Sequence, residues 1–135
     1  LKAMQSVGES TNFNQNDTSQ DASPNSFFLE ISMTQVVTQN VFKPNPGADM
    51  SKLNALIAES AAIWRRHGAD VTVWAVSVGE IGNMVFTSRY DSYEAYGKCV
   101  DAVVADPEYQ AWSAKATASG VSTWIRSNLA RQLPF

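Results

Sequence analysis

One histidine, one cysteine and four tryptophans are the residues of this 135-residue chain whose chemistry invites a function. An imidazole serves as general base, proton carrier or haem ligand near neutral pH, which makes the sole histidine, His67, a catalytic candidate. It follows Arg65 and Arg66 and precedes Gly68, the pattern of a helix C-terminus where positive charge complements the dipole. That structural role outweighs the catalytic one. Cys99 falls inside a helical pattern with Lys98 as its only thiolate-stabilising neighbour, so a small buried residue is expected there rather than a nucleophile. Asn40 and Arg89 are polar residues within apolar strand patterns, and either orients a polar substrate or faces water at a strand end. They complete, with His67, a weak set of catalytic candidates. Trp64, Trp74 and Trp112, with Tyr96, are the candidate ligand-binding aromatics, should a cavity open between sheet and helices. Core and interface packing is the competing explanation for them and for Trp124.

Other chemistries lack their parts. There are no paired carboxylates at a suggestive spacing and no Ser or Cys nucleophile motif, and Gly79-x-x-Gly82 is too short for a phosphate cradle. A single cysteine excludes an internal disulfide and any multi-cysteine metal site, and a single histidine excludes a three-histidine zinc site. No cofactor and no metal are expected. The net charge of −3 argues against a phosphate-coating nucleic-acid binder. The segment Met84–Tyr90 also lacks the aromatic and basic pattern of an RNA-binding strand. No apolar run approaches the ~18 residues of a membrane span, so no membrane contact is expected. A cytoplasmic location is expected, with a cleaved, exported chain as the alternative.

The elements that must position these residues begin after a polar section. Residues 1–26 are dominated by Ser, Asn, Gln, Thr and Asp, and read as a flexible N-terminal extension to a domain over 27–135. Phe27 to Phe42 is rich in β-branched and aromatic residues and reads as a strand, ended by Lys43-Pro44-Asn45-Pro46-Gly47. Asp49 caps a helix whose apolar stripe is Leu53, Leu56, Ile57, Ala61, Ile63 and Trp64, with Gly68 as its stop. Val71–Val78 and Met84–Tyr90 form a hairpin around Gly79–Asn83. Asp91-Ser92-Tyr93-Glu94 is a D-x-x-E capping signature for a second helix, and Asp106-Pro107-Glu108 restarts that helix. Gly120 ends it, and Val121 to Leu133 reads as the last strand.

Strand, helix, strand, strand, helix, strand with right-handed crossovers predicts an α+β, ferredoxin-like βαββαβ fold. Its four-stranded antiparallel sheet carries two helices on one face. Apolar residues nevertheless point both ways along Val71–Val78, with Val71, Val73 and Ala75 on one face and Trp74, Val76 and Val78 on the other. A sheet face open to water alternates apolar with polar, so a second copy of the chain is the expected cover.

Arg66-His67-Gly68-Ala69, the strand Val71–Val78, Tyr90-Asp91-Ser92-Tyr93 and Ala105-Asp106-Pro107-Glu108-Tyr109 together resemble the dimeric α/β-barrel superfamily. That superfamily includes antibiotic-biosynthesis-monooxygenase-like and NIPSNAP-like domains, and the similarity spans Thr34 to Leu133. The resemblance implies a homodimer and either of two roles. One is a small-molecule enzyme of the cofactor-free monooxygenase type, with an apolar or aromatic ligand in a cavity between sheet and helices. The other is a non-catalytic ligand-binding or assembly module. No catalytic residue of the superfamily is matched in this chain.

Overall fold

The computed structural model describes residues 34–135. The expected extension over residues 1–26 and the first part of the strand expected from Phe27 lie outside the described residues. The elements run β1 (Val36–Pro44), α1 (Met50–Arg66), β2 (Asp70–Ala75), β3 (Met84–Tyr90), α2 (Tyr93–Ala105), α3 (Pro107–Ser119) and β4 (Ser122–Arg131). All strand pairs are antiparallel, in the order β2-β3-β1-β4. This is the ferredoxin-like α+β arrangement that the strand and helix order predicts.

Among the described residues three helices stand where two are expected. The second is divided at Asp106, which closes α2 and caps α3: its carboxylate accepts from the Glu108 amide at 2.9 Å, and Pro107 opens α3. Proline at that point cannot extend α2, yet it suits a first helical position. Asp49 caps α1 by accepting from Ser51 and Lys52. The cap of α2 is Ser92, which accepts from the Ala95 amide, and not Asp91 one residue earlier. Both residue types cap well, and only the extended backbone at Ser92 decides between them. Gly120, at φ +63°, ends α3 in the left-handed conformation that a side chain would strain.

Two strands are shorter than the periodicity suggests. β2 stops at Ala75, and Val78 is 87% exposed in the connection to β3. β4 stops at Arg131. The core lies between the helices and one sheet face, around Val36, Phe42, Leu53, Ile63, Phe86 and Val103. On the opposite face the register lines up Trp74 beside Val85 and Val41, with Arg126 next along β4. Among the described residues no helix covers that face. Trp74 is 55% exposed there, its indole N–H donating to the Thr87 hydroxyl at 2.9 Å. Thr87 in turn donates to the Thr72 carbonyl at 3.0 Å, so the exposed ring is held rather than loose.

β1 and β4 shift register between Val41 and Phe42, where Ile125 is left unpaired. This bulge brings Trp124 opposite Phe42, on the helix side of the sheet.

Candidate functional site

A cavity of about 320 Å³ lies between α1, α3 and the β1–β4 end of the sheet, at the small end of the range for ligand sites. α1 contributes Leu53, Leu56, Ile57, Ser60 and Trp64, residues three and four apart that share one helix face. α3 contributes Tyr109, Trp112 and Ala116 at the same spacing. Phe42, Phe86, Asn40 and Trp124 form the sheet side.

The aromatic wall is continuous. Tyr109 stacks on Trp112 with ring centroids 5.6 Å apart, and meets the edge of Trp64 at 6.1 Å. Such pairs hold each ring in a defined plane. The Trp112 N–H donates to the Leu56 carbonyl at 2.8 Å, tying α3 to α1 across the cavity. Trp124 donates to the Ser127 hydroxyl at 3.1 Å. With both donors satisfied, these two indoles are left with π surface for a ligand. Asn40 and Ser60 are the reverse case: among the described residues neither side chain makes a hydrogen bond, and Ser60 is only 5% exposed.

At one end the walls are fastened by charge. Arg66 reaches Asp106 and Glu108, both at 2.9 Å, and His67 Nε2 lies 2.8 Å from Asp106. Hydrogen bonds from His67 and Arg66 hold the Asp106 carboxyl far below the usual carboxylate range. Lys115 and Glu59 pair at 2.6 Å further along the same two helices.

Among the sequence candidates, Trp64, Trp112 and Asn40 are brought to the cavity, and the others are not. Trp74 lies on the uncovered sheet face. Tyr96 packs edge-to-face on Tyr90 at 5.3 Å, between α2 and β3. Arg89 is exposed on β3, paired with Val37. His67 belongs to the charged fastening and does not line the cavity. Cys99 is buried in the core, and burial pushes its thiol up, away from nucleophilic reactivity. Phe42, Ser60 and Tyr109 are lining residues that the sequence did not single out, and Trp124, noted among the tryptophans but not placed with the ligand-binding candidates, lines the cavity too. The spacing of Tyr109 and Trp112 was the available signal for the first pair of rings.

No protein-family model matches the chain, and no curated protein does. Solved structures do. A NIPSNAP-like domain protein from Burkholderia xenovorans superposes with a TM-score of 0.59 at 17% identity, covering 76% of this chain and 87% of that one. A NIPSNAP family protein from Agrobacterium tumefaciens gives 0.59 at 16% identity, over 75% and 86% of the two chains. The chain has the fold of the NIPSNAP-like domains. SnoaB from Streptomyces nogalater, a cofactor-independent oxygenase, shares it with a TM-score of 0.55 at 18% identity, over 75% of this chain and 97% of that one. These NIPSNAP-like and SnoaB relationships agree with the fold that the sequence resemblance implies. Among the described residues no helix is long and apolar enough to cross a membrane.

Proposed function

We propose that this NIPSNAP-like chain is a small-molecule-binding domain whose cavity between α1, α3 and the sheet takes an apolar, aromatic compound. The observation that carries the reading is the wall of Trp64, Tyr109 and Trp112, rings held in fixed planes around a space of about 320 Å³. Offset and edge contacts with such rings favour a flat ligand over an aliphatic one of equal volume. Native mass spectrometry of the protein purified without denaturant tests it. A bound aromatic compound released by Trp112→Ala supports the reading, and a protein that neither carries nor takes up any aromatic compound refutes it.

A second reading, oxygenation of that compound without a cofactor, is favoured by the likeness to SnoaB. Oxygen uptake on mixing the protein with phenolic naphthalenes separates the two readings.

The same proposal includes a homodimer through the uncovered sheet face. Trp74, held by Thr87 on the edge strand β2 and in one row with Val85 and Val41, is the anchor a partner copy would cover. Sedimentation at micromolar concentration is expected to show a dimer that Trp74→Asp converts to monomer. A monomeric parent protein rejects this part.

A further inference from the structure

The cavity contains hydrogen-bonding groups but no charge. None of its lining residues is Asp, Glu, Lys, Arg or His. The cations on its walls are engaged elsewhere: Lys115 with Glu59, Arg66 with Asp106 and Glu108, and Arg65 with the Val71 carbonyl at 2.9 Å. Lys52, in the first turn of α1, is exposed and does not line the space. A carboxylate or ammonium placed at the inner end of the cavity, against buried Ser60 and Phe86, would therefore lose its water without gaining a counter-charge, which is strongly unfavourable in an apolar surround. A hydroxyl or carbonyl meets a different reception. The Asn40 amide and the buried Ser60 hydroxyl are neutral groups with unused hydrogen-bonding capacity among the described residues.

We propose that the cavity selects ligands by charge state: an aromatic molecule is admitted in its neutral form, and an ionised molecule of the same shape is refused. This rests on the binding function proposed above and adds to it the class of ligand. It has a chemical corollary. A phenol bound here is harder to ionise than in water, because the site stabilises the neutral form only.

Calorimetric titration of the full chain with 2-naphthol and 2-naphthoate at neutral pH tests the selection. The two share one ring system, but only the carboxylate is charged. The naphthol is expected to bind, and the naphthoate to bind about tenfold more weakly or worse. Acidification towards the acid's own pKa should then restore binding of the naphthoate. Thr117→Lys, at an exposed position lining the cavity, should narrow the gap by supplying a counter-charge. Equal or tighter binding of the naphthoate by the parent protein overturns the selection while leaving the binding function intact. A gap unchanged in Thr117→Lys, with naphthol affinity retained, also counts against selection by charge. Binding of neither compound removes both proposals together.

Discussion

His67 Nε2 and Asp106 Oδ2 lie 2.8 Å apart across 39 residues of sequence. The contact joins the C-terminus of α1 to the residue that caps α3, so one carboxylate fastens both helical walls of the cavity and starts one of them. Because Asp106 also accepts from Arg66 and from the Glu108 amide, its ionised form is favoured by folding. A carboxyl with a depressed folded pKa stabilises the protein above the unfolded value of about 3.9, and that contribution is lost as the pH falls below it. The thermal midpoint should therefore drop on acidification below about pH 4, followed by differential scanning fluorimetry. In Asp106→Asn the midpoint at neutral pH should be lower by a few degrees and the acid drop shallower. Asp106→Ala, which also loses the cap, should melt lowest of the three.

Gly97 occupies the middle of α2 without a positive φ, and a Cβ added there meets nothing within 4 Å. Gly97→Ala should stabilise the protein by about 0.5–1 kcal/mol, since alanine loses less backbone entropy in a helix. Gly68 has equal space but a φ of +101°, so Gly68→Ala should destabilise by about 1 kcal/mol or more. Urea titration of the two variants checks the opposite signs.

Tyr90 is 4% exposed, and its hydroxyl lies near Ser88 and the Cys99 thiol without forming a well-aligned hydrogen bond to either. Burial accordingly pushes its phenol well above the usual range. Tyr90→Phe should be neutral or stabilise by up to about 1 kcal/mol, because it removes a desolvated group that makes no well-aligned bond. A loss of more than that in chemical denaturation contradicts the assignment.

Trp112→Phe removes the donor to the Leu56 carbonyl while keeping an aromatic ring in the wall. The expected loss is about 1 kcal/mol of stability in urea titration, the worth of one hydrogen bond. Affinity for a neutral aromatic probe should fall with it, as α3 is less firmly held against α1.

The sequence made visible what local chemistry decides. Asp49, the Asp106-Pro107 pair and Gly120 each act on backbone groups one to three residues away, and their roles in capping and stopping helices were readable directly. The cap at Ser92 was misplaced by one residue because Asp91 is an equally good acceptor. The site was legible only in part, because it depends on long-range pairing. Trp64 and Trp112 could be nominated from helical periodicity, yet nothing in the periodicity brings Trp112 to Leu56, 56 residues away. Trp74 was nominated alongside them: the alternation along β2 sets it opposite Val71 and Val73, but only the packing of the helices on the Val71 face shows that its own face lies away from the cavity. Trp124 was hidden by a different effect: a strand with an unpaired residue breaks the alternation on which face assignment relies.

That unpaired residue, Ile125, divides β4 into two stretches with different duties. Ser122 and Trp124 line the cavity while pairing with Pro44 and Phe42, and residues 126–131 pair with Val36–Val41. A slip of one position in a regular strand would turn every side chain to the other face. The bulge gives β4 two alternations instead of one: Trp124 at the cavity and the residues that pair with Val36–Val41 keep separate facings, stitched together by the Trp124–Ser127 hydrogen bond.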